Sequence, residues 1–193
     1  AGHPFLKTPA IDSLAATGVR FDNAFVTTSL CSPSRATFLT GLYAHRHNIL
    51  NNTTPMDPAI ATFPQLLKAA GYRTAFLGKW HMGGDFDDPR PGFDYWVSHK
   101  GQGKYEGTEF NINGRRETPP GYYTSVVTDL AVAWLRRPRQ KPFALILGHK
   151  APHTPFTPEP KYEHLFAGAD IRYPDSAMAM EGKPDWVKQR LDT

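Results

Sequence analysis

Hydrophobic positions along the 193-residue chain switch repeatedly between helical and strand-like spacing. Thr8-Pro9, followed by Ala10 to Thr17 and Gly18, predicts a short helix with a Thr cap, Pro in the first turn and Gly as the stop. Val19 to Phe25, rich in β-branched and aromatic residues, predicts a strand. Thr27 to Pro33 reads as a loop, and Ser34 to Thr40 as a helix closed by Gly41. Phe63, Leu66, Leu67 and Ala70 share one face of a helix over Thr62 to Ala70, stopped by Gly71 and followed by a strand from Tyr72 to Leu77. Asp85 to Arg90 predicts an acidic surface loop ahead of the Pro91-Gly92 turn. Asn113-Gly114 marks a hairpin within Phe110 to Arg116. Tyr123 to Arg136 predicts the longest helix, its Arg136-Arg137 end suiting the negative C-terminal dipole. Phe143 to Leu147, entirely apolar, predicts a strand in the middle of a parallel sheet. Lys150 to Pro160 holds four prolines and reads as an ordered loop or lid, and from Gly168 onward no period returns.

This alternation predicts an α/β fold, a mostly parallel sheet flanked by helices. The chain is long enough to bury about 70% of its unfolded surface. Hydrophobic residues at 40% and charged residues at 21% are the composition of a globular protein and exclude coiled coil, collagen and a charged disordered tail. Apolar runs such as Phe143 to Leu147 fall far short of the ~18 residues that cross a bilayer, so no membrane span is expected. The net charge of +4 permits anionic ligands, but the basic residues are scattered, which argues against a nucleic-acid partner. One cysteine, Cys31, excludes an intrachain disulfide and a cysteine-based zinc cluster.

A single cysteine is most often a small buried hydrophobe. Cys31, however, stands in a polar stretch at a predicted helix N-terminus with Arg35 four residues on, and both features favour negative charge there. The interval to Arg35 is too short for the loop of a thiol phosphatase. Cys31-x-Pro33-Ser34-Arg35 with Leu39-Thr40-Gly41 resembles the signature of the type I, formylglycine-dependent sulfatases of the alkaline-phosphatase-like superfamily. Three further segments resemble that family in the same order. They are Ala10 to Phe25, Gly71-Tyr72-Arg73-Thr74 with Gly78-Lys79-Trp80-His81, and His149-Lys150-Ala151-Pro152-His153-Thr154-Pro155. The stretches from Tyr105 to Arg116 and from His149 to Tyr162 are similar to bacterial sulfatases acting on sulfated sugars, glucosamine-6-sulfatase-like members among them.

The resemblance implies conversion of Cys31 to formylglycine, an aldehyde hydrated to a gem-diol. One hydroxyl would attack sulfur and expel the alcohol; the second would lose its proton as the aldehyde re-forms and sulfate leaves. Arg35 would hold the diol and its surroundings, and Lys79 would bridge the diol and a sulfate oxygen. His81 would serve as base, and His153 as donor to the leaving oxygen or the sulfate. A calcium ion is also implied, with position 31 its only ligand in this chain. The other ligands, paired aspartates and an Asp-Asn pair, fall before and after the sequence. Residues 1–193 are therefore expected to be part of an N-terminal catalytic domain, incomplete at both ends and inactive in isolation. The implied partners are a sulfated carbohydrate or other sulfate ester and a formylglycine-generating maturation enzyme, and the implied location is periplasmic or secreted.

Plainer readings apply elsewhere. His149 and His153 have helical zinc-ligand spacing, but Pro152 between them argues against a helix. His45 and His47 are placed in a loop, rimming a pocket or exposed. Asp85, Asp87 and Asp88 read as a solvated turn rather than a calcium loop. If the strand ending near Leu77 continued, Lys79 and His81 would share one side of it. Two rival functions stand beside the sulfatase reading: a phosphonate or phosphate monoester hydrolase of the same superfamily, and a non-catalytic binder of sulfated glycans.

Overall fold

The computed structural model describes His3, residues 5–177 and residues 179–189. The helices are α1 (Pro9–Thr17), α2 (Cys31–Thr40), α3 (Ala44–His47), α4 (Phe63–Ala69), α5 (Tyr123–Leu135) and α6 (Asp185–Lys188). The strands are β1 (Arg73–Gly78), β2 (Tyr95–Ser98), β3 (Phe110–Ile112), β4 (Arg115–Glu117) and β5 (Phe143–Gly148). Packing divides the chain into two units, Ala1–Arg20 with Pro160–Thr193, and Phe21–Glu159. The first unit holds α1, α6 and two short 3-10 turns, and α1 buries none of its side chains. No helix among the described residues is long and apolar enough to cross a membrane.

The second unit is built on a five-stranded sheet in the order β4-β3-β2-β1-β5. β1 pairs in parallel with both β2 and β5, while β2-β3 and β3-β4 are antiparallel. The α/β class is as expected, and the sheet is mixed because the Asn113-Gly114 hairpin returns alongside β2. Alternation along β1 and β2 feeds two cores. Ala75, Leu77, Tyr95 and Val97 pack with Tyr123, Val127, Ala131 and Trp134 of α5. Phe76 and Trp96 pack on the other face with Ala36 and Leu39 of α2 and with Trp80 and Met82.

Several expectations are corrected. Val19 to Phe25 forms no strand; Val19, Phe21 and Phe25 are exposed, since β-propensity without a partner edge does not make a ladder. β5 lies at an edge of the sheet among the described residues rather than in its middle, with Phe143 and Leu147 exposed. An apolar run reports burial capacity, not rank in the sheet. β2 went unread because four residues are too short for a period. α2 begins at Cys31, three residues before the predicted start. Asp87 is buried rather than solvated: it pairs with both terminal nitrogens of Arg116, and its carbonyl accepts from the Trp96 indole at 2.7 Å.

Gly78 and Gly148 face each other where β1 and β5 end. Gly78 has φ 113°, and a Cβ there would meet the Gly148 carbonyl oxygen at 2.0 Å. No side chain fits this approach. Gly78→Ala should destabilise the protein by about 2 kcal/mol or more, read as a fall of roughly 4 °C or more in thermal midpoint. An unchanged midpoint would contradict this packing.

Candidate active site

The parallel pairing of β1 and β5 brings the segments that follow them to one end of the sheet. Lys79 N–H donates to the Gly148 carbonyl at 2.8 Å, so the segment after β1 is pinned to the end of β5. The strand does not continue through Lys79-Trp80-His81, and His81 adopts a left-handed φ of 53°. The third contributor is α2, whose first residue is Cys31 and whose last turn is closed by Gly41 in the left-handed conformation. Ser32 anchors that first turn: its hydroxyl donates to the His81 carbonyl, and its N–H to Asn52 Oδ1 at 3.1 Å.

An open cavity of about 550 Å³ is lined by Cys31, Arg35, Lys79, His149, Lys150 and His153, among others, and no acidic residue among the described ones lines it. Lys79 Nζ lies 3.8 Å from Cys31 Sγ. Arg35 donates to the Lys79 carbonyl at 2.5 Å and so clamps the lysine from behind. Lys150 is buried, with its ammonium 4.9 Å from the centre of the Tyr105 ring and 3.4 Å from the Gln102 carbonyl. The Tyr105 hydroxyl donates to the His153 carbonyl at 2.5 Å, holding the loop after β5 in place.

His81 does not line this cavity. It is buried and joins the cluster through Gln102, whose amide lies 2.5 Å from Lys79 Nζ and 3.3 Å from His81 Nε2. His47 is buried in α3 rather than rimming a pocket, 3.1 Å from the Thr37 hydroxyl, while His45 is exposed. Sequence reading passed over Gln102, Tyr105 and Lys150. Lys150 and Tyr105 sat inside recognised segments without a role assigned to them, whereas Gln102, between Gly101 and Gly103, carried no signal.

Cations crowded together and partly desolvated lose affinity for protons. Burial, with Arg35 and Lys150 adding to it, lowers the Lys79 ammonium to about 8 against the pull of Cys31. Burial, then Lys79 and Arg35, lowers His81 to about 4, so its imidazole is neutral at ordinary pH. Burial likewise lowers Arg35 and Lys150. The site is therefore a cationic pocket beside a thiol at a helix N-terminus, suited to a compact anion.

Calcium prefers oxygen ligands, carboxylates above all. Around Cys31 the cavity is lined by a thiol, hydroxyls, imidazoles and cations, without a carboxylate among the described residues, and among these no group of three or more His, Cys, Asp or Glu is placed to hold a metal. These residues do not fit a calcium ion by themselves, and the same holds for zinc at His149 and His153.

The sulfatase family model matches residues 1–179. The chain belongs to the sulfatase family. It is 37% identical over 169 residues to the N-acetylglucosamine-6-O-sulfatase of Bacteroides thetaiotaomicron, covering 86% of this chain and 30% of the relative. It is 33% identical over 194 residues to the putative extracellular sulfatase Sulf-1 homolog of Caenorhabditis elegans, covering 90% and 27%. A protein solved in complex with its substrate D-glucosamine-2-N,6-O-disulfate superposes with a TM-score of 0.82 at 36% identity, over 91% of this chain and 35% of that one. The chain thus spans about a third of the length of these relatives.

Inorganic sulfate, titrated by calorimetry, should bind while Lys79 keeps its proton and lose affinity as pH rises through about 8. An affinity unchanged across that range would remove Lys79 from the anion site.

Proposed function

We propose that this chain is the nucleophile-bearing part of a sulfatase catalytic domain, hydrolysing sulfate monoesters of sugars through a formylglycine made from Cys31. One observation carries the reading: the chain's single cysteine opens α2 and faces a cavity lined by Arg35, Lys79, Lys150 and His153, with no acidic residue among the described ones. A thiol there fits conversion, because the carbonyl or hydrate would sit beside a cation and at the positive end of a helix. The hydrated aldehyde supplies an attacking oxygen and a second hydroxyl through which sulfate can be released.

The chain's own residues do the rest. Lys79, 3.8 Å from Sγ, donates to residue 31 and to a sulfate oxygen. Arg35 keeps Lys79 in register through its carbonyl and adds charge to the cavity wall. Both hold the sulfur in line with the attacking oxygen, which lowers the barrier mainly by removing the cost of alignment. His153 gives a proton to the alcohol oxygen as its bond to sulfur breaks. His81, neutral above about pH 4, is able to take a proton during release. No step is assigned to calcium.

The substrate class is proposed as a 6-O-sulfated glucosamine unit of a glycan. It is supported by the name of the Bacteroides relative and by the sugar bound to the solved neighbour. A secreted or periplasmic protein, matured by a formylglycine-generating enzyme, completes the reading, in line with the extracellular description of the Caenorhabditis relative.

Peptide mass spectrometry after co-expression with such an enzyme should find the aldehyde at position 31. The converted full-length protein should release sulfate from 6-O-sulfated glucosamine, and Lys79→Ala should lower kcat about 100-fold or more. An unmodified thiol, or hydrolysis indifferent to Lys79→Ala, would contradict the proposal.

A further inference from the structure

Gln102 stands between the two residues that the proposed reaction needs in opposite states, a charged lysine and a neutral histidine. Its Oε1 accepts from Lys79 Nζ at 2.5 Å, and its Nε2 lies 3.3 Å from His81 Nε2. An ammonium can only donate, so the amide must turn its oxygen toward Lys79. The NH2 then faces the imidazole, and since an NH2 also only donates, His81 Nε2 must accept. The ring proton is thereby assigned to Nδ1, a buried nitrogen with no hydrogen-bond partner among the described residues.

The segment carrying Gln102 is held from both halves of the site. The Gln102 carbonyl lies 3.4 Å from Lys150 Nζ, and Tyr105 donates to the His153 carbonyl at 2.5 Å. Behind it, His99 is fixed 2.8 Å from the Tyr123 hydroxyl and 3.1 Å from the Lys100 carbonyl. Gly103 packs so closely on that ring that a Cβ would come within 2.7 Å of it. The amide is thus placed by its surroundings, and Lys79 decides which end points where.

We propose that Gln102 is a positioning residue: its amide, oriented by the Lys79 ammonium, keeps His81 in the Nδ1–H tautomer and steadies Lys79 beside residue 31. The tautomer follows from the hydrogen bonds alone, while its catalytic consequence rests on the function proposed above. When His81 accepts a proton it does so at Nε2, leaving an imidazolium with a proton on each nitrogen. The hydrogen bond from Gln102 must then break, because both groups have become donors. Gln102 therefore reserves that lone pair until a proton is delivered to it, and helps the proton leave afterwards.

Long-range 1H–15N NMR correlations of the histidine rings in the full chain read the tautomer directly. The wild-type protein should show His81 as Nδ1–H. In Gln102→Glu the carboxylate faces both partners as an acceptor, and the proton should move to Nε2 or the ring should become doubly protonated. In Gln102→Leu the preference should be lost, and in the converted protein kcat should fall about 10- to 100-fold, more than KM changes. Unaltered His99 signals would show that the variants keep their fold, and the wild-type and Gln102→Glu spectra decide the matter even if Gln102→Leu does not fold. Wild-type His81 as Nε2–H, the same tautomer in all three proteins, or a kcat within about twofold of wild type would each overturn the proposal. A wild-type protein with the Nδ1–H tautomer that fails to cleave any sulfate ester would instead overturn the functional reading and leave the placement of the proton standing.

Discussion

The close approach of Gly78 and Gly148 governs the site, because Lys79, His81, His149, Lys150 and His153 all hang from the chain just beyond them. With no Cβ on either residue, β1 and β5 stay in register to their last pair, and the next N–H, that of Lys79, reaches the Gly148 carbonyl at 2.8 Å. Arg35 then reaches across from α2 to the Lys79 carbonyl. Two hydrogen bonds, one at its N–H and one at its carbonyl, thus hold the Lys79 main chain, and its ammonium has only to extend to Cys31. A side chain at Gly78 would push the strand ends apart, and the shift would reach Lys79, His149 and Lys150 together. In a site where misplacement by an ångström costs orders of magnitude, such a rigid origin matters more than any single donor.

The second constraint is electrostatic. Three basic side chains, those of Arg35, Lys79 and Lys150, gather beside one thiol, with no acidic residue on the cavity wall among the described residues. Burial, with the neighbouring Arg35 and Lys150 charges adding to it, pushes Lys79 down to about 8. An anion entering the cavity would relieve the opposition among these charges, and by linkage would stabilise the protein. His81 sits behind the same cations and is kept neutral by burial and by them, which lets an acceptor survive next to a charged donor. Gln102 is the neutral group that can touch both.

Much of this was legible in the sequence where local chemistry and local structure coincide. The Cys31, Pro33, Ser34 and Arg35 spacing lies on one helix, so residues close in sequence are close in space. Gly78-Lys79-Trp80-His81 and the His149 to Pro155 loop were recognisable for the same reason, and the helices over Phe63–Ala69 and Tyr123–Leu135 followed from their apolar faces. What escaped depended on partners distant in sequence. Gln102 meets Lys79 and His81 from more than 20 residues away, and nothing in Gly101-Gln102-Gly103 announces it. Asp87 looked like part of a solvated acidic turn until Arg116 arrived from β4. Among the described residues, Val19 to Phe25 had strand-forming residues but no neighbouring edge, and β5 had the composition of a central strand while lying at the edge.

The central claim is that Cys31 looks out into a cationic anion site organised by Lys79. The sequence contains one cysteine, so alkylation of the unconverted protein reads that residue alone. The most direct measurement compares the rate with negatively charged iodoacetate against the rate with neutral iodoacetamide, with and without inorganic sulfate. The account predicts that iodoacetate gains over iodoacetamide relative to a free thiol, that sulfate slows both, and that Lys79→Met removes the gain. A ratio equal to that of a free thiol, with no protection by sulfate, would contradict it.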